Sequence, residues 1–265
     1  MFHWIILILT SSILVGNNNL GQITSLWART MDNFIDITFD SHSDTPPGKD
    51  PDSFSPTLRN YHRILWSKSL PNGVDFNLSH QIPKVLYHES QLGEFILSSD
   101  AIGHTYRKWK MMAPIIENLL SSEVTEFAAL CRTIGGYIIF PAKRVDNKMT
   151  INGSRGLNKS IKDRFDLTLE CIRLHYCKES SPLSETFNRY TDFFNLFVDF
   201  KGYVDFFLLQ DLVDQDYKSV KFWIPFTSFD DSPMPRSIDD YRLFKENLMS
   251  FIVDRNNRIH SAAAN

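Results

Sequence analysis

The sequence predicts an α+β protein: a single mixed domain with a small sheet and several packed helices. Stretches with the two-residue period of half-buried strands interleave with stretches at helical spacing, but not in the regular alternation of a doubly wound sheet. No internal repeat or long linker divides the chain. Its 265 residues, 43% of them hydrophobic, are enough to bury a full core without disulfides.

The folded body is expected over residues 31–260, after an N-terminal extension of residues 1–30. Ile35, Ile37 and Phe39 alternate with Asp36, Thr38 and Asp40, which predicts a strand. Ser41–Ser55 carries Pro46, Pro47, Gly48 and Pro51 among acidic residues and reads as an irregular loop. Ser55-Pro56 reads as an N-cap and first helical residue, with Leu58, Tyr61, Leu65 and Trp66 following at helical spacing. Val85–Tyr87 is a short apolar run, and Phe95–Leu97 reads as another strand. Ser99 or Asp100 is placed to cap a helix through Tyr106 and Trp109 that Pro114 kinks or ends.

Ser122 starts a helix with Val124, Phe127 and Leu130 on one face, closed by Gly135 or Gly136. Tyr137–Phe140 and Met149–Ile151 read as strands paired around Asp146-Asn-Lys148. The sharpest helix begins at Ser160, which makes a capping-box-like start with Asp163 and sets Ile161, Phe165, Leu169, Ile172 and Tyr176 on one stripe. Another runs from about Leu183 to Phe197, and Tyr203–Val213 fits either a buried strand or a helix. Val220–Phe226 is aromatic and β-branched enough for a strand. Ser237 caps a last helix whose buried face is Tyr241, Phe244, Leu248, Phe251, Ile252 and Ile259.

A formal net charge of -3 with 22% charged residues excludes a generally basic nucleic-acid coat and a disordered polyanion, so any nucleic-acid contact is local. Cys131, Cys171 and Cys177 have neither CxxC nor metal-ligand spacing and read as buried inert thiols in a reducing compartment. Trp4–Val15 has the length of a signal-peptide core, is too short for a membrane span and lacks Lys or Arg in front. A cytoplasmic protein without stable membrane insertion is therefore expected, with secretion through residues 1–16 as the alternative.

Charge is divided along the chain. Residues 142–178 hold nine Lys or Arg against four Asp or Glu, whereas 179–240 hold five against twelve. Within the basic part, Asn152-Gly-Ser-Arg-Gly156 reads as a glycine-rich loop opening onto the Ser160 helix. Helix N-terminal amides and arginine forks both favour anions, so Asn152, Arg155, Gly156, Ser160 and Arg164 are the candidate ligand-binding residues. The structural alternative is a solvated basic face, or pairing with the acidic half.

Other constellations are weaker. Asp163, Asp166 and Glu170 share a helix face but sit where acids complement the helix dipole. Gly48-Lys49 resembles a phosphate loop, yet Asp50 replaces the hydroxyl residue and Pro46-Pro47 removes amides. The chain has no G-x-S-x-G elbow and no H-E-x-x-H, and its histidines are scattered. Ten of the 21 phenylalanines fall between Phe187 and Phe229, in a region too acidic for base stacking and better suited to core or protein contact.

Four strings carry a resemblance: Ser43-Asp-Thr-Pro-Pro-Gly-Lys-Asp-Pro-Asp52, Leu92-Gly-Glu-Phe-Ile-Leu-Ser-Ser-Asp100, Gly135-Gly-Tyr-Ile-Ile-Phe-Pro141 and Arg164-Phe-Asp-Leu-Thr-Leu-Glu-Cys-Ile-Arg173. Over about Met31 to Ile259 the chain resembles an uncharacterised family of bacterial proteins. The resemblance implies a bacterial, cytoplasmic protein and transfers no catalytic residue, metal or cofactor. The function expected from the residues is a domain binding a phosphate-containing ligand or another protein. The alternative is a metal-dependent enzyme acting on nucleotides or nucleic acid, with Arg155 and Arg164 positioning phosphate and Asp163, Asp166 or loop carboxylates holding magnesium.

Overall fold

The structure, a computed structural model, describes residues 34–263, and the apolar run at 4–15 lies outside the described residues. From Asp36 onward they form one unit. In chain order its elements are α1 (Pro51–Phe54), α2 (Pro56–Trp66), β1 (Lys68–Ser69), β2 (Asp75–Phe76), β3 (Leu86–Ser90), β4 (Gly93–Ala101), α3 (Ala113–Ile116), α4 (Ser121–Cys131), β5 (Tyr137–Pro141), α5 (Ile151–Leu157), α6 (Phe165–Tyr176), α7 (Ser184–Asn188), α8 (Thr191–Asn195), α9 (Phe200–Phe206) and α10 (Ile238–Ala263). The fold is α+β, as expected. Antiparallel β3, β4 and β5 form one sheet in that order, and β1 pairs with β2 in a second. Among the described residues no helix is long and apolar enough to cross a membrane.

The loop before α2 is built by its acids. Asp50 caps α1 by accepting from the Asp52 amide at 3.2 Å. Asp44 accepts from Ser55 Oγ at 2.6 Å and from the Thr57 amide at 2.9 Å, while Ser55 Oγ accepts from the Leu58 amide. These contacts satisfy amides that open α2 and have no partner within the helix. Upstream, the expected strand over Ile35–Phe39 is absent, because Asp36 Oδ1 draws in both the amide and the hydroxyl of Thr38 and turns the chain.

β4 continues through Ser99 and Asp100 to Ala101, with Ser99 opposite Ile139 and Asp100 opposite Ile138 on β5. The helix expected to start there does not form, and Pro114 opens the short helix α3 rather than ending a longer one. β5 is buried along its whole length although it is an edge strand. Its companion Met149–Ile151 is not a strand: Thr150 instead caps α5 through the Gly153 amide.

Val220–Phe226 contributes only a bridge from Val220 to Val213. Leu183–Phe197 breaks into α7 and α8 at Tyr190, and the Tyr203–Val213 ambiguity resolves into α9 and a 3-10 turn at Gln210–Leu212. Ser237 does cap α10, and all six residues expected on its buried face are buried.

That face also carries two polar residues that tie α10 to the glycines before β5. Arg255 donates to the carbonyls of Gly135 (2.8 Å), Tyr137 (2.6 Å) and Phe207 (3.0 and 3.2 Å). Asn256 Oδ1 accepts from the Gly135 amide at 2.8 Å, and a Cβ on Gly135 would stand 2.5 Å from that oxygen. Gly135 therefore allows α10 to approach the backbone before β5 closely, while Gly136 makes room for the backbone of Cys131. The phenylalanines between 187 and 207 are buried in a connected ring network, with no exposed aromatic patch among them. Cys131 and Cys171 are buried as expected, whereas Cys177 is exposed.

Candidate functional site

The segment expected to be an anion-binding loop is mostly helix α5, and its arginine faces inward. Arg155 is fully buried and paired with Asp100 of β4. Its Nε donates to Thr168 Oγ1 at 2.9 Å, and its terminal nitrogens reach the carbonyls of Ala101 and Asp163. The rings of Phe140 and Phe165 flank it. Every donor direction of the guanidinium thus has a partner inside the protein.

The other expected residues divide. Arg164 is buried and paired with Asp166, and donates to the Pro233 carbonyl at 3.0 Å. Lys162 and Asp163 take left-handed backbone angles, φ 47° and 61°, so α6 starts only at Phe165 and the Ser160–Asp163 capping pair does not form. Ser160 lies in the preceding turn with its amide on Asn158 Oδ1. A Cβ on Gly156 would stand 3.1 Å from Asp163 Oδ2, so this glycine makes room for a carboxylate. Asn152 donates to the Ser99 carbonyl at 3.2 Å, which brings it to the end of β4.

At that strand end a second set of groups converges. Asp52 of α1 accepts from Ser99 Oγ at 3.1 Å, and Ser99 Oγ lies 2.9 Å from His62 Nε2 on α2. Trp66 Nε1 donates to His62 Nδ1 at 3.0 Å. An indole N–H can only donate, so Nδ1 is the acceptor and Nε2 carries the proton. Burial, then the Arg255 charge, pushes the imidazole down to about 3, so it is neutral. The chain of donors runs from Trp66 through His62 and Ser99 to Asp52. His62 therefore holds a proton toward Ser99 and cannot withdraw one, which excludes a Ser–His nucleophile in this arrangement.

Asp52 and Asp100 flank this end of β4, and solvent reaches both: the Asp100 side chain keeps 18% of its exposure and Asp52 is half-buried. Burial, followed by the charges of Asp100 and Asp50, raises the Asp52 carboxyl well above the usual range. Burial raises Asp100 to about 6 against the opposing pull of Arg155. His104 stands near Asp163 and Arg155, and its imidazole is lowered chiefly by burial. Asn152 Oδ1 is buried and accepts no hydrogen bond.

Sequence reading missed Ser99, Asp100 and His62 as site residues and kept Asp52 only as one of several loop carboxylates. Two signals were present: Ser99 continues the inward face of Phe95 and Leu97, and His62 lies on the buried side of α2. Both are polar groups at core positions. Among the described residues no three His, Cys, Asp or Glu side chains stand close enough to hold a metal ion.

A family of unknown function, DUF6994, matches residues 35–259, and the chain belongs to that family. This agrees with the resemblance carried by the four strings. No curated protein and no solved structure is detectably similar to the chain.

Proposed function

We propose that this domain binds a small polar ligand that presents a cationic amine or hydroxyl donors to the end of β4, between Asp52, Asp100 and Asn152. The observation that carries the reading is the placement of two partly solvent-reached carboxyls, Asp52 and Asp100, at one strand end beside Asn152; burial raises the affinity of both for protons. The charges of Asp50 and Asp100 act on Asp52 and that of Asp163 acts on Asp100, with Arg155 as the buried cation among them. Such a field attracts donors and cations and repels phosphate. The anion expected at Asn152–Arg164 thus gives way to a ligand of opposite character, while Asn152 stays in the site and Arg155 sets the orientation of Asp100.

Asp52→Asn tests the site. The amide keeps an acceptor for Ser99 and removes the charge. A raised folded-state value means that Asp52 adds stability at low pH and loses that contribution as pH rises. The variant should therefore melt about 2–4 °C higher than the wild type at pH 8, show no gain at pH 4, and lose the thermal shift given by amines and polyols. A lower Tm at pH 8, or an undiminished ligand shift, would count against the site.

A further inference from the structure

On the side of β1 and α9 lies a groove of about 470 Å³ whose lining includes Lys68, Leu70, Pro71, Val198, Lys201 and Phe206. We infer that Lys68 is a nucleophilic amine which captures a small aldehyde or ketone in this groove as an imine. The groove lies outside the Asp52–Asp100 site, and the inference does not depend on that site.

The two lysines of the groove are in opposite circumstances. Lys201 is 58% exposed and paired with Asp205 one helical turn on, which holds its ammonium above the ordinary range. Lys68 is half-buried and is bonded to no carboxylate. Its Nζ donates to the Phe206 carbonyl at 2.6 Å and lies 4.5 Å from the Phe206 ring centroid and 5.1 Å from that of Trp66. Arg255, also without a carboxylate, lies 5.9 Å from the same Trp66 ring. The remaining charge acting here is Asp205, which already accepts from Lys201, Tyr217 and Gln210.

Ring faces and a carbonyl favour an ammonium, but burial and then the Arg255 charge prevail and bring Lys68 down to about 8. Removal from water beside a second cation is one of the ways in which a lysine becomes a nucleophile at neutral pH. A neutral amine donating one N–H to Phe206 keeps its lone pair for a carbonyl carbon. In the reaction, nitrogen adds to that carbon, the two amine hydrogens leave with the carbonyl oxygen as water, and C=N replaces C=O. No oxidant or further reactant is required.

The groove also shows a strained rim. Val198 adopts φ 69°, with the Asp199 amide 2.8 Å from the Phe197 carbonyl in a tight turn, and it is 63% exposed. That conformation is costly for a β-branched residue and displays an apolar side chain at the lip. A Cβ on Gly202 would clash with the Phe197 carbonyl and stand 3.0 Å from Pro71 Cγ, so the glycine makes room for both against α9. Leu70, Pro71, Val198 and Phe206 suit a carbonyl compound with an apolar remainder.

The test is to incubate the full chain with butanal and sodium cyanoborohydride at pH 7.5 and map the reduced adducts by peptide mass spectrometry. Lys68 should label at least about tenfold faster than Lys201, because far more of an amine held near 8 is unprotonated than of an ordinary lysine near 10.4. Lys68→Met should remove the fast adduct and leave the slow ones. Equal rates at Lys68 and Lys201, or labelling that follows exposure alone, would overturn the inference. The wild-type map decides this even if the variant fails to fold.

Discussion

Arg155→Ala is expected to destabilise the fold by about 2–4 kcal/mol at pH 8, read by urea unfolding. Removing one member of a buried ion pair leaves the other without compensation, and the solvent that still reaches Asp100 trims the usual penalty. The loss also depends on pH in a definite direction. Asp100 is raised to about 6, so the stability contributed by its proton is complete below the unfolded value near 3.9 and is lost as pH rises through about 6. Without the guanidinium, the carboxyl holds its proton still more strongly. The variant's deficit should therefore be largest at alkaline pH and shrink toward pH 5. A deficit below about 1 kcal/mol at pH 8, or one independent of pH, would mean that the pair does not hold α5 to β4.

Asp166→Ala should be costlier, at about 3–5 kcal/mol. Arg164 is almost wholly buried, so loss of its carboxylate leaves it with only the Pro233 carbonyl. The substitution also strips the acceptor from the Trp223 amide, which Asp166 Oδ2 meets at 3.0 Å. Replacing both members together, Arg164→Met with Asp166→Leu, should recover part of the loss, because no buried charge is then left uncompensated while the Trp223 amide still lacks its acceptor. Equilibrium unfolding of the single and double variants checks this. A double variant no more stable than the single would show that the pair contributes more than mutual neutralisation.

How much of the molecule was legible in the sequence follows from how local the controlling interactions are. α2 and α10 were readable because a cap and a periodic apolar face lie within one helix, at Ser55 and Ser237. β5 was readable as an uninterrupted apolar run. The errors occur where a distant partner decides. Ser99 and Asp100 look like helix caps, but their side chains are used by Asp52, His62 and Arg155, and the backbone stays in the sheet. Asn152–Gly156 looks like a loop because of its glycines, yet Thr150 caps it and the buried Arg155 anchors it as a helix. A basic stretch was readable as charge; that its two central arginines, Arg155 and Arg164, are neutralised from within was not.

In the proposed site, the end of β4 carries two proton-retaining carboxyls set to receive donors. Carboxyl carbon NMR shifts of aspartate-labelled protein, followed from pH 3 to 9 and assigned with Asp52→Asn and Asp100→Asn, test it most directly. Asp100 should titrate near 6 and Asp52 well above the ordinary range, and an amine that binds should lower both. Two ordinary titrations near 3.9, unmoved by any amine or polyol, would contradict it.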